Sequence, residues 1–178
     1  APSHIYTFPG TYNVTLTVMD TSGCSASRTH PVTIVTPPLV NFDFSSPSCN
    51  GQSVDFTDLT TTSAGYPVRW LWDFGDGTTQ AITFPATAST SHTYTQGGTF
   101  NVSLFVKTSD SCFAILTKTL TILARPSAAF SHGSACEASQ VAFTDLSVSN
   151  STSTINSWSW DFGDPTSGTA NQSTLQNP

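Results

Sequence analysis

Charge is the scarcest property of this chain. Only 9% of its 178 residues are Asp, Glu, Lys or Arg, far below the usual quarter, so disorder driven by charge is excluded. Five Lys and Arg against eleven Asp and Glu leave a net charge of -6, which repels a phosphate backbone whose binding needs several basic contacts. Nucleic acid is therefore not an expected partner. Apolar runs of about 18 residues are also missing, so no membrane-spanning helix is expected. The start, Ala1-Pro2-Ser3-His4-Ile5-Tyr6, lacks the basic head and apolar core of a signal peptide. If the protein is exported, its signal is expected elsewhere in a longer precursor. No Cys-x-x-Cys spacing suggests zinc, and no Gly-x-Ser-x-Gly turn suggests a serine nucleophile.

What is present is polar without charge. Thr and Ser crowd Thr60 to Ser63, Thr87 to Ser91 and Ser147 to Thr154, while apolar residues make up 37% and aromatics 11%. That composition suits a globular chain with a neutral, wet surface. Its length allows one large domain or two of about 90 residues.

The chain repeats itself. His4 to Val18 matches His92 to Val106, and Cys24 matches Cys112, all 88 positions apart. Trp70-Leu71-Trp72-Asp73-Phe74-Gly75-Asp76 returns 88 positions later as Trp158-Ser159-Trp160-Asp161-Phe162-Gly163-Asp164. Val54 to Leu59 returns as Val141 to Leu146, and Cys49 as Cys136, both 87 apart. The expected division is the back half of one repeat (1–37), a whole repeat (38–125) and the front half of another (126–178). A half-repeat cannot bury its inner face. Either neighbouring repeats in a longer array complete it, or strands are exchanged between molecules.

Alternation by two places Phe100, Val102, Leu104 and Val106 on one strand face, and likewise Tyr12, Val14, Leu16 and Val18. Val54 and Phe56 alternate in the same way, as do Val68, Trp70, Trp72 and Phe74. Turn signals at Pro9-Gly10, Ser22-Gly23, Asn50-Gly51, Asp76-Gly77 and Gly97-Gly98 divide these runs. Short strands at such spacing indicate an all-β sandwich, with boundaries at Pro37-Pro38 and Arg125-Pro126, where proline stiffens the connection.

Trp70 to Gly77, followed by His92-Thr93-Tyr94 and by Gly98 to Val102, resembles the PKD domain family, and the resemblance runs through both half-repeats. The cysteine-bearing form is also similar to repeats of large bacterial surface proteins of the gliding-adhesin type. The resemblance implies tandem immunoglobulin-like β-sandwiches in an extracellular or cell-surface protein, used as spacers, adhesive surfaces or companions of secreted hydrolases, without catalysis. Pro165 stands where Gly77 stands in the whole repeat, so that turn must differ in type.

The motif residues are Trp70, Trp72, Asp73, Phe74, Gly75, Asp76, Gly77, His92, Tyr94, Trp158, Trp160, Asp161, Gly163 and Asp164. Asp73 and Asp76 could serve acid–base chemistry or bind calcium; the structural alternative has them accepting backbone donors in the turn. No cofactor is otherwise expected. His4 and His92 read as hydrogen-bonded packing residues, and Tyr6 and Tyr94 as tyrosine corners. The tryptophans are either core residues or a sugar-stacking platform. Asn13, Asn101, Asn150 and Asn171 begin glycosylation acceptors.

Cys49 follows the first strand of the repeat and Cys112 lies between the last two, and in a seven-stranded sandwich those loops fall at opposite ends. That disfavours a bond within the repeat, because disulfides need Cα atoms within about 7 Å. Bonds across repeat junctions are then expected, joining Cys112 to Cys136 and Cys49 to Cys24 of neighbouring units; the alternative is Cys49 with Cys112. Regular cysteines in an exported chain imply an oxidising compartment. The leading expectation is a non-catalytic structural segment of a surface fibre, stalk, filament or adhesin, extended head to tail. Its partners would be neighbouring PKD repeats of the same or an identical chain, with glycans or surface proteins as further candidates. The alternative is a carbohydrate- or protein-binding accessory module of a secreted hydrolase or adhesin.

Overall fold

The computed structural model describes residues 2–46, 49–150 and 152–178. They are built from β-strands and one 3-10 segment. No described helix is long and apolar enough to cross a membrane. The chain divides into two compact units, one of residues 1–45, 54–92 and 100–120, the other of 46–53, 93–99 and 121–178.

The first unit opens with a hairpin, β1 (Gly10–Met19) and β2 (Ser25–Ile34), paired from Gly10↔Ile34 to Met19↔Ser25. Thr15 and Thr29 bridge their hydroxyls at 2.7 Å, as do Thr17 and Ser27, so the polar face is held by cross-strand hydroxyl pairs. The other face carries Val14, Leu16 and Val18, all exposed. The alternation expected from sequence is therefore present, but the face it creates is uncovered.

Seven strands follow: β3 (Phe42–Phe44), β4 (Ser53–Asp58), β5 (Pro67–Asp73), β6 (Thr79–Thr83), β7 (Thr90–Thr93), β8 (Gly98–Thr108) and β9 (Phe113–Ile122). They form a three-stranded sheet, β3-β4-β7, and a four-stranded sheet, β6-β5-β8-β9. Phe42 on β3 meets Trp72 on β5 edge-on at 5.1 Å between ring centres, and Phe56 on β4 meets it at 5.6 Å. Those contacts cross between the sheets and mark the core. Val54, Phe56, Val102, Leu104 and Val106 are fully buried, as alternation by two requires of inward residues.

The second unit holds the turn at Asn50-Gly51 and the short strands β10 (Phe130–His132), β11 (Phe143–Asp145), β12 (Trp160–Asp161) and β13 (Gln172–Ser173). β10 pairs with β11, and β12 with β13. Between β12 and β13 lies the 3-10 segment Pro165–Asn171, with Asp164 capping its start through Thr166 N. Asp76 instead leads into Gly77 at φ +91, a conformation proline cannot adopt, so the two turns differ as Pro165 requires.

Candidate functional site

The Trp-x-Trp-Asp-Phe-Gly-Asp motif forms the end of β5 and the turn beyond it. Trp70 and Trp72 are 6% and 0% exposed, so neither presents a face to a sugar. Each indole N–H is satisfied, Trp70 Nε1 donating to Asp58 Oδ2 and Trp72 Nε1 to the Ala88 carbonyl, both at 2.9 Å. A buried indole left without an acceptor would cost on the order of 1–3 kcal/mol. Asp58 was not singled out by the sequence reading, although its recurrence as Asp145 marked it. Trp158 Nε1 donates to Asp145 Oδ2 at 2.8 Å, and Trp160 Nε1 to the Leu175 carbonyl.

The carboxylates serve the turn. Asp73 Oδ1 accepts from Gly75 N, and Asp76 Oδ1 accepts from both the backbone and the hydroxyl of Thr78. His92 Nε2 lies 2.7 Å from Asp76 Oδ2, and its ring stacks on Phe74 at 4.2 Å and 11°. Burial pushes the Asp76 carboxyl upward, but the Thr78 and His92 hydrogen bonds outweigh it and hold the group below its ordinary value. Gly75 sits at φ +78, where an added Cβ would lie 2.7 Å from the Asn101 carbonyl oxygen. Tyr94 is buried and its carbonyl accepts from Gly51 N.

In the later copy, Asp161 Oδ1 accepts from Gly163 N, and Asp164 Oδ1 accepts from Thr166 N and Oγ1. The Thr166 hydroxyl contact lowers the Asp164 pKa. Asp145 is lowered to about 2, first by the Ser147 hydroxyl and then by the Ser147 backbone amide, with Trp158 and Gln176 assisting. These are the causes that stabilise a charged carboxylate. Among the described residues there is no group of three or more His, Cys, Asp or Glu placed to hold a metal ion.

All four cysteines are free thiols, so the expected disulfides have no support within the chain. Cys49 is bridged to Leu123, just beyond β9, whereas Cys112 immediately precedes that ten-residue strand. At about 3.3 Å per residue the strand separates its ends by about 33 Å, which accounts for the missing Cys49–Cys112 bond. Of the glycosylation acceptor at Asn150, Ser151 lies outside the described residues.

Two features went unread in the sequence. The outer face of the four-stranded sheet is apolar in one area: Leu71 pairs with Phe105, the Phe105 and Phe113 rings lie 5.5 Å apart, and Phe113 and Ile115 are exposed. Aromatics at outward strand positions, in a chain whose outward residues are mostly Thr and Ser, were the available signal. The second feature is a pair of asparagines around the Arg125 linker. Arg125 N donates to Asn50 Oδ1, Asn50 Nδ2 to the Thr95 carbonyl, and Asn150 Nδ2 to the Arg125 carbonyl, each at 2.9 Å. At the earlier linker, Thr36 Oγ1 hydrogen-bonds Ser63 Oγ, and Ser63 stands at the repeat position of Asn150, 87 residues earlier.

The sequence pattern of the PKD domain matches residues 1–36 and 35–122. The chain belongs to the PKD domain family. A microbial collagenase of Vibrio alginolyticus is 39% identical over 75 residues, which cover 42% of this chain and 9% of that protein; the match thus spans a small part of the relative. Among solved structures, the PKD1 domain of Vibrio anguillarum Epp is 25% identical, with a TM-score of 0.44, covering 50% of this chain and 96% of its own. The PKD1 domain of the Vibrio cholerae metalloprotease PrtV is also 25% identical, with a TM-score of 0.43, covering 49% and 98%. This PKD chain is a non-catalytic module, and an extracellular or cell-surface setting is the one that accords with its relatives.

Proposed function

We propose that the chain is an accessory PKD segment of a secreted hydrolase or adhesin, which holds or presents other domains and contacts an insoluble polymer or surface protein. The observation that carries this reading is the 39% identity to a collagenase over 75 residues in a chain whose motif carboxylates are spent on turns. It moves the weight from a pure fibre to the accessory role. The candidate contact face is the Leu71, Phe105, Phe113 and Ile115 area, since apolar groups left outside a neutral polar surface gain most by being covered. Co-sedimentation with insoluble collagen, chitin and cellulose tests it. Saturable binding to one of them, lost in Phe105→Ser/Phe113→Ser with unchanged melting, supports the reading. Binding to none of the three removes the polymer contact from the reading.

A second reading, a stiff stalk of tandem repeats divided at 1–37, 38–125 and 126–178, is favoured by the bracing of both linkers. Cys112 with Cys136, and Cys49 with Cys24, of neighbouring units would be its junction bonds. Each requires an external oxidant such as dissolved oxygen to take two electrons and two protons from a pair of thiols. Small-angle scattering that gives a junction as pliant as a Gly/Ser linker would rule the stalk out.

A further inference from the structure

The outer face of the four-stranded sheet carries charge beside its apolar area. Arg69 on β5 stands directly opposite Lys107 on β8, and both are exposed, so two of the five basic residues of the chain share one spot. Like charges placed directly across a strand pair destabilise it. Among the described residues neither has an ion-pair partner, the ion pair there being His92 with Asp76. Two residues along the same strands, about 7 Å away, Leu71 stands opposite Phe105, and on β9 Phe113 and Ile115 are each 63% exposed. Two unopposed cations thus border a patch of aromatic and aliphatic carbon.

The fold does not require these side chains. At the 88-residue offset of the repeat, Arg69 and Leu71 correspond to Ser157 and Ser159, Phe105 and Lys107 to Thr17 and Met19, and Phe113 and Ile115 to Ser25 and Ser27. The inward residues of the same stretches are kept: Trp70 and Trp72 return as Trp158 and Trp160, and Leu104 and Val106 stand for Leu16 and Val18. All six outward positions differ, and five of them are Ser or Thr in the other copies. A patch that costs stability, and that the other copies do without, is fitted to a ligand.

We infer, on the reading of this face as a polymer contact, that it binds an acidic polysaccharide, whose sugar rings lie on Phe105 and Phe113 and whose carboxylates meet Arg69 and Lys107. The cations call for an anionic partner, and the exposed rings gain by being covered with apolar ring faces, which a bare ion lacks. An acidic peptide would meet the charges equally well. However, β5 and β8 are the inner strands of the order β6-β5-β8-β9, with their main-chain groups already paired, so a peptide strand finds no edge to add to at the cation pair. A sugar chain needs no edge. It brings flat apolar faces, carboxylates at regular intervals and hydroxyls, for which Thr83, opposite Arg69 on β6, is a partner.

Co-sedimentation of the whole chain with cellulose, before and after oxidation of its C6 alcohols to carboxylates, tests this, because the two fibres share a backbone and differ in charge. The oxidised fibre is expected to be bound on the order of tenfold more tightly at low salt, and the preference to vanish at about 1 M salt, where exposed charges are screened. Arg69→Gln/Lys107→Gln is expected to bind both fibres equally. Arg69→Lys/Lys107→Arg, which keeps both charges, is expected to keep the preference, as is Arg28→Gln/Arg125→Gln, which removes two charges elsewhere. Phe105→Ser/Phe113→Ser is expected to lose both fibres with unchanged melting. Equal binding of the two fibres by the unaltered chain, lost in Phe105→Ser/Phe113→Ser, overturns the acidic preference and leaves the polymer contact standing; binding to neither overturns both. A preference that survives Arg69→Gln/Lys107→Gln, or that falls as far in Arg28→Gln/Arg125→Gln, overturns it as well. Soluble polyglutamate that displaces the chain from the oxidised fibre as well as polyglucuronate does, at equal carboxylate concentration, gives the face to an acidic peptide and overturns the glycan.

Discussion

The ring of His92 does two things at once to the motif turn: it stacks on Phe74 and puts its Nε2 2.7 Å from the Asp76 carboxylate. The carboxylate is held below its ordinary pKa by that contact together with the Thr78 hydrogen bonds, which outweigh its burial.

A depressed folded-state pKa means stability that is present above the unfolded value, about 3.9 for Asp, and lost as pH falls through the folded value. Asp76 behaves so, and Asp145 does so with a folded value of about 2. Tm is therefore expected to vary little with this pair of groups above about pH 5 and to fall between about pH 4 and 2. Asp76→Asn should remove part of that acid sensitivity. A calorimetric pH series checks it, and an unchanged acid limb in the variant would count against the assignment.

The two glycines of the turn should differ in cost. Gly75 and Gly77 both adopt positive φ, but an added Cβ meets the Asn101 backbone at Gly75 and open space at Gly77. Gly77→Ala should lose about 1–2 kcal/mol from backbone conformation alone, and Gly75→Ala clearly more. Urea unfolding of the two variants ranks them.

One repeat position should give two answers. Leu104→Ala empties a fully buried site and should cost about 2–5 kcal/mol. Leu16→Ala, at the same position of the repeat but exposed, should stay within about 0.5 kcal/mol in dilute monomer. Denaturant titration at low protein concentration makes the comparison.

The Arg125 linker should loosen when its asparagines are cut back. Asn50→Ala removes an acceptor from Arg125 N and a donor from the Thr95 carbonyl, a loss of about 1 kcal/mol per bond. Hydrogen exchange at the Arg125 amide should quicken in Asn50→Ala, and in Asn150→Ala only through the loss of its bond to the Arg125 carbonyl. Equal exchange in all three proteins would show that the asparagines do not hold the linker.

The strands of the complete sandwich were legible because alternation by two and burial agree there: Val102, Leu104 and Val106 are inward and covered. The same alternation in Val14, Leu16 and Val18 gave the strand correctly and could not give its environment, because periodicity records a face and not what lies against it. The motif turn was legible through its Gly and Asp residues. Asp58 and Asp145 were missed as indole acceptors because a hydrogen bond between distant strands leaves no local spacing. The asparagine brace escaped for the same reason, its members Asn50 and Asn150 being 100 residues apart in sequence. The reading of the tryptophans as sugar platforms fails at Trp70 and Trp72 for lack of an exposed face.

Asn50 N donates to the Leu123 carbonyl at 2.9 Å, where the Cys49 and Leu123 segments run parallel. A pull on the chain beyond Pro126 therefore drags Leu123 along its neighbour instead of peeling it away. The amide contacts around Asn50 then carry load side by side and must fail together.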